Sequence, residues 1–413
     1  MPLEPRRTVE ELRELQALTG DEHGAQRVAW TETWARARDW LAGTLAELPL
    51  EVELDEAGNQ WFTLRGRSQQ ALLIGGHIDS VPNGGWLDGC LNLVAGCEVV
   101  RRIAGEGEPP VTVRLVNWAD EEGARFGRSL FGSSAAAGSL DDVDELRGRS
   151  DAEGRLLPEV LAEHGVDLDR AGEAGRQLEH AAAYLELHIE QGPVLEALGL
   201  PLGVVLGTFG VERHRIRFTG QSAHAGSTPM DTRRDALAGA AKLALEIREI
   251  AKRTGGGAVC TMGSCVTRPG IVTAVVGECD VLLDQRHLDE AALAGMLQAA
   301  EQAARRFAAE EELEVEWERV WRIEPIPFDP DLIELADASI REVAQRSHRL
   351  PSGPLHDAAE VARAGVPTAM LFVQSLRGLS HTPLEDTREE ELELAVRALD
   401  RLATTTIERL GTG

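Results

Sequence analysis

His77 and Asp79 stand two residues apart where an apolar run ends, and Asp88 follows after a stretch broken by Gly84 and Gly85 and closed by Gly89. An imidazole at a strand end is a good ligand for a divalent metal. A nearby carboxylate can accept the ring's other N–H and fix its tautomer, a task that suits Asp79. The glycines let the chain fold back, so that Asp88 can approach the same point. Taken alone, the segment also reads as an Asp/Gly turn beside a core histidine. Asp120, Glu121 and Glu122 end a second apolar run. Three adjacent acids there are unfavourable unless positive charge meets them. They point in different directions, so one can bind a metal while its neighbour reaches a water on it; the plain alternative is a solvated acidic turn. His188 and His381 each follow a strand-like run, and either by itself reads as a structural histidine. Together, three imidazoles and two carboxylates suit two divalent ions of the Zn, Mn, Co or Ni kind. Ions in two-metal hydrolases sit roughly 3.5–4 Å apart, which calls for a bridging carboxylate. Asp88 is assigned that bridge, with His77 and His188 completing one site and Glu122 and His381 the other.

The elements that must position these groups alternate in the first half of the chain. Strand-like runs at 71–74, 111–118, 184–187 and 367–373 are separated by helical patterns, for instance 91–104 and 331–345, the latter just after Pro330. Such alternation predicts an α/β fold, a mostly parallel mixed sheet sandwiched by helices. Ligands in such sheets bind beyond the carboxyl ends of the strands, and the acids and histidines stand where the apolar runs stop. The middle of the chain reads strand 211–219, helix 234–253, strands 260–267 and 277–286, helix 290–310 and strand 312–320. That β-α-β-β-α-β order is a ferredoxin-like α+β unit. It predicts a discontinuous catalytic domain of 1–209 and 326–413 with an inserted domain at 210–325. Residues 147–177 are polar and read as surface helices with their loops, and residues 1–15 as an amphipathic helix.

Seven segments carry a resemblance: GGHIDSVPNGGWLDG, DEEGARF, ELHIEQGPVLE, GQSAHAGSTPMDTRRDA, LLDQRH, SGPLHDAAE and LSHTP. Together they resemble the amidase branch of the M20 metallopeptidase family, over nearly the whole chain. That branch holds N-carbamoyl-L-amino acid hydrolases, allantoate amidohydrolases and β-ureidopropionases. The resemblance implies a homodimer of bilobed subunits, each with a zinc-peptidase-like catalytic domain and a smaller lid that also dimerises. It implies His77, Asp88, Glu122, His188 and His381 as metal ligands and Glu121 as the catalytic acid/base. It implies His224 as a lid histidine that reaches a substrate site, often the partner's, and Gln191 and Arg286 as substrate contacts, Arg286 clamping a carboxylate. A histidine at 188 points to the amidase branch, since the peptidase branch commonly has a carboxylate there. His356 is taken as a substrate contact or a helix cap. Two stretches depart from the pattern. Thr273 or a neighbour stands where relatives commonly have Asn, and Gly210-Val211-Glu212-Arg213-His214 replaces a Gly-Gln-Arg-Trp run. Arg286 could instead pair with Asp284, and His224 could belong to a turn.

The expected reaction is hydrolysis of the carbamoyl C–N bond of an N-carbamoyl-L-amino acid or related small carboxylated ureide. Allantoate hydrolysis and peptidase or deacylase chemistry are the alternatives within the scaffold; a non-catalytic binding homologue would have lost ligands that are all present. The chain of 413 residues has a formal net charge of −27, which argues against nucleic acid or anionic lipid as partners. There is no GxxxxGK[ST] and no strand-linked GxGxxG, which argues against nucleotide binding. Five cysteines without CxxC spacing read as free thiols of a reducing compartment, and residues 1–15 lack a signal-peptide pattern, so a cytoplasmic protein is expected.

Overall fold

The computed structural model describes residues 1–140 and 143–412. They form two compact units, Met1–Leu206 with Phe328–Gly413, and Gly207–Pro327.

The first unit is α/β, built on a mixed sheet flanked by helices. Four parallel strands lie at its centre in the order Thr368–Val373, Ala181–Ile189, Ala71–His77, Thr112–Trp118. Antiparallel strands flank them: Leu202–Thr208 on one side, Gln60–Leu64 and then Glu51–Leu54 on the other. Every residue of Ala71–His77 and Thr368–Val373 is buried, as expected of central parallel strands covered on both faces. The helix Cys90–Gly105 packs on the sheet with nearly all of its residues buried. The N-terminal helix Pro5–Thr19 turns Val9, Leu12 and Leu15 into the same core. Asp329 caps the helix Pro330–Ala344 by accepting from the Leu332 N–H, and Pro330 occupies its first turn.

Register sets the site. His77 pairs with Trp118, and His188 with Phe372. The parallel strands therefore deliver His77, His188 and the acids after Trp118 to one edge of the sheet. The strand predicted at 184–187 is longer, Ala181–Ile189, and itself carries His188. The stretch 147–177 is less superficial than its polarity predicts: Leu157, Val160, Leu161 and Val166 are buried in the main core.

The second unit is a four-stranded antiparallel sheet in the order Val259–Arg268, Glu278–His287, Gly210–Thr219, Glu314–Ile323. Helices Ala236–Thr254 and Glu290–Glu310 cover one face, each capped by an aspartate, Asp235 and Asp289. Along Glu278–His287 alternate residues are buried (Cys279, Val281, Leu283), the period-two signature of a sheet with one covered face. No helix among the described residues is long and apolar enough to cross a membrane.

Candidate metal centre

Six of the predicted residues converge in the first unit. Single donor atoms of His77, Asp88 and His188 lie within 4.8 Å of one another, and so do those of Asp88, Glu122 and His381. A third such group is His77, Glu121 and Glu122. Asp88 shares two of the three, and its two oxygens face different ways. Its Oδ1 lies 3.1 Å from His188 Nε2 and 3.8 Å from His77 Nε2, and its Oδ2 lies 3.4 Å from His381 Nε2. Glu122 Oε2 is 3.5 Å from the same His381 nitrogen.

Backbone contacts orient the imidazoles. His77 Nδ1 lies 3.1 Å from the Asp79 carbonyl oxygen, and His188 Nδ1 2.9 Å from that of Ile189. A carbonyl can only accept, so each Nδ1 carries a proton, and in the neutral ring each Nε2 presents a lone pair. His77 Nε2 is buried and has no hydrogen-bond partner among the described residues. An orphaned basic nitrogen amid carboxylates is costly in a metal-free fold and is what a cation would satisfy. The donor set fits divalent metal ions. Asp79 departs from its predicted role. Its own carbonyl, not its carboxylate, is the nearer acceptor for His77, the carboxylate Oδ1 being 3.5 Å away. The carboxylate instead accepts the Glu121 and Glu122 backbone N–H groups at 3.3 and 3.1 Å and so fixes the acidic strand end.

Burial sets the electrostatics. Glu121 is pushed well above the ordinary carboxylate range by burial and by Glu122, against the pull of His77. Glu122 rises to about 7 through burial and the neighbouring Asp88. Asp88 goes the other way: burial would raise it, but His188, His381 and His77 hold it well below the usual range. His381 has a side chain 50% exposed and rises to about 9, chiefly through its hydrogen bond to Asp88.

Gln191 and His356 differ from expectation. The Gln191 carboxamide donates to Asp88 Oδ2 at 2.8 Å and to Ser380 Oγ at 3.0 Å, so it rests on the shared carboxylate. His356 neither caps its helix through its side chain nor offers a surface to substrate, being 2% exposed. It packs behind His188 with ring centroids 4.4 Å apart and shares a hydrogen bond with Ser352 Oγ at 2.9 Å. Burial and the adjacent His188 push it well below the ordinary histidine value, so it stays neutral.

His224 and Arg286 belong to the second unit. The Gly226 and Ser227 N–H groups donate to His224 Nδ1 at 3.1 and 3.2 Å, so the neutral ring carries its proton on Nε2. Its short strand Ala223–His224 pairs with Ala274–Val275, and the Ala225 N–H donates to the Thr273 carbonyl. Arg286 makes a two-pronged contact with Asp284, Nε at 2.8 Å and Nη2 at 3.2 Å.

A family model described as Peptidase family M20/M25/M40 matches residues 73–405. The chain belongs to that family. It is 36% identical over 382 residues to an N-carbamoyl-L-amino acid amidohydrolase of Geobacillus stearothermophilus, covering 91% of this chain and 92% of the relative. It is 34% identical over 383 residues to an allantoate amidohydrolase of Escherichia coli K12, covering 91% of each. Among solved structures, a hydantoinase/carbamoylase family amidase from Burkholderia multivorans superposes with a TM-score of 0.86 at 31% identity, over 97% of this chain and 98% of that one.

Two buried groups of this M20 chain escaped the sequence reading. Glu385 Oε1 accepts the backbone N–H groups of Leu87 and Asp88, both at 3.0 Å, and Ser380 Oγ donates to Asp88 Oδ2 at 2.7 Å. Burial and the nearby Asp88 raise Glu385 to about 7. The only hint was an acid four residues after His381, a weak signal in so acidic a chain. The other is the Trp30 indole, which donates to Asp120 Oδ2 at 2.7 Å, with the Gly123 N–H on Oδ1 at 3.1 Å. Asp120 has φ 57°, a left-handed turn that redirects the chain at the acids.

Proposed function

We propose that the chain hydrolyses the carbamoyl C–N bond of an N-carbamoyl-L-amino acid or a closely related carboxylated ureide. Two divalent ions of the Zn, Mn, Co or Ni kind would be held by His77, Asp88, Glu122, His188 and His381. The observation that carries this reading is Asp88, whose two oxygens face separate imidazole groups. The named relatives support the carbamoyl substrate class.

When bound, such ions acidify water and offset charge on the attacked carbonyl oxygen. Glu121 takes the proton of the attacking water and returns it to the leaving nitrogen. Its burial beside Glu122 favours holding that proton between the two steps. His224, with its proton on Nε2, donates to the oxygen on which negative charge develops. Arg286 takes the substrate carboxylate in a two-pronged grip, exchanging Asp284 for substrate. The released carbamate breaks down to ammonia and carbon dioxide. The second unit serves as lid and dimerisation element in a homodimer, and the free thiols suit a cytoplasmic protein.

Allantoate hydrolysis is the second reading, favoured by the Escherichia coli relative. An ammonia-release screen of carbamoyl amino acids, ureido acids, allantoate and dipeptides, with each metal supplied, separates the two. Release from carbamoyl amino acids is expected. Dipeptide cleavage without ammonia release from any ureide would overturn the proposal.

A further inference from the structure

A second cleft in the first unit, of about 260 Å³, is lined by Trp34, Arg38 and Asp39 of the helix Glu32–Leu45, and across from them by Leu54, His164 and Val166. Helix positions four apart share a face, so Trp34 and Arg38 open into it together. The Arg38 guanidinium lies 4.3 Å over the Trp34 ring. Arg38 is only 9% exposed, yet among the described residues no hydrogen bond or ion pair engages its side chain. Stacking on Trp34 offsets part of the cost of burying the charge, but it leaves the guanidinium N–H groups without an acceptor among the described residues, which an anion would supply. Burial lowers it to about 10, which leaves it charged at neutral pH.

The surrounding charges narrow the ligand. Asp55 also lines the cleft, but its carboxylate already accepts from the Trp61 indole, the Asn59 side chain, and the backbone N–H groups of Ala57 and Asn59. Asp39 stands at the exposed rim with no hydrogen bond or ion pair among the described residues. Burial, with Arg38 beside it, keeps His164 below its ordinary value, so it adds no charge. One cation without an acceptor and one carboxylate without a donor, lining the same cleft, match a small zwitterion. A phosphate would bring two negative charges to a single guanidinium flanked by acids.

We propose that this cleft binds a free α-amino acid, its carboxylate on Arg38, its ammonium on Asp39 and an apolar side chain along the exposed Leu54. That this ligand is also the reaction's product rests on the proposed carbamoyl hydrolysis; the site itself does not. The cleft adjoins the acidic strand end. Trp34 packs on Trp30 with centroids 4.8 Å apart, His164 contacts both rings, and the Trp30 indole holds Asp120, next to Glu121. Occupancy presses on that wall, so the amino acid slows turnover from outside the catalytic centre.

Calorimetric titration of L-leucine into EDTA-dialysed protein tests the site without any need for activity. Saturable binding is expected. The analogue without the ammonium, 4-methylpentanoate, and the one without the carboxylate, isopentylamine, should each bind at least about tenfold more weakly, the usual loss on removing a charged hydrogen bond. Arg38→Met should abolish binding. Asp39→Asn, at an exposed position that leaves the core untouched, should weaken it about tenfold by the same reasoning and decides the matter if Arg38→Met does not fold. Absence of heat at millimolar leucine, or binding unchanged by both variants, would overturn the site. In metal-loaded protein, leucine should lower kcat in a way that Asp39→Asn relieves; binding with unaltered kcat keeps the site and overturns the coupling. Failure of the carbamoyl chemistry would appear separately, as absent ammonia release beside intact leucine binding.

Discussion

The cluster around Asp88 and the residues proposed for substrate recognition in the second unit are built on opposite plans. Around Asp88 the groups are held by buried partners from several elements. His77 and His188 are each tied through Nδ1 to a carbonyl, and the Asp88 backbone is tied to Glu385 while its side chain meets Ser380 and Gln191. His224, by contrast, is exposed on a two-residue strand and anchored by its own turn, and Arg286 pairs with Asp284 two residues away on its own strand. A buried, cross-linked constellation keeps its geometry through the reaction cycle. An exposed, locally held one can be retuned without disturbing the metal ligands. The departures from the family pattern at Glu212 and Thr273 lie in the second unit but differ in kind: Glu212 is buried among His214, Arg319 and Arg322, whereas Thr273 is exposed and its carbonyl accepts the Ala225 N–H next to His224.

The contrast can be broken most sharply at Glu121. Glu121→Gln should lower kcat by about 10²–10⁴-fold, the range for a general acid/base, with bound metal measured by elemental analysis unchanged. Metal loss alongside the fall would make Glu121 a ligand. Glu385→Gln comes next. It touches no donor atom of an imidazole, yet weakened support for the Asp88 loop should lower metal affinity by roughly 10–100-fold, read by competition with a chelator, with turnover regained at high metal. Arg286→Lys keeps the charge and loses the fork. It should raise KM by about tenfold or more and leave metal content alone; an unchanged KM would leave Arg286 as a partner of Asp284 only.

The smallest effect concerns stability in chelator. Glu122 and Glu385 sit at about 7 and Asp120, raised chiefly by burial, at about 8. An acid whose value is raised by folding keeps its proton longer in the folded chain, so its stabilising share fades as pH climbs from the ordinary carboxylate range to the folded value. His381, raised to about 9, contributes fully below its ordinary value and fades as pH rises toward 9. Both shifts have one sign. The Tm of metal-free protein should fall by a few degrees between pH 5 and 9, by circular dichroism, and added metal should restore most of it. A Tm that rises with pH would show that these acids are not buried as described.

Much of the first unit was legible because strand ends are marked twice, by an apolar run that stops and by a polar residue too costly to bury without purpose. His77, Asp120 and His188 carry both marks. The strand expected at 277–286 is likewise found, at Glu278–His287, where its period-two burial marks the face that the helices cover. Other features left no such trace. Glu385 meets Asp88 across nearly three hundred residues, and nothing local distinguishes it from other acids. His356 could not be placed because a histidine that ends a loop reads alike whether it faces substrate or lies beneath another ring. The burial of Leu157, Val160 and Leu161 was hidden by the charge of their neighbours, since a short helix needs only a few apolar residues to dock.

Gly89 has φ +68°, and a Cβ built there would fall 2.2 Å from the His77 ring. Loop and imidazole are thus separated by little more than the width of a hydrogen atom. For anyone diversifying this protein toward new substrates, position 89 is closed: even alanine would displace the ring before any pocket changed shape. Variation is better spent on exposed loop positions of the other unit away from His224 and Arg286, where a new side chain meets none of the metal ligands' own packing.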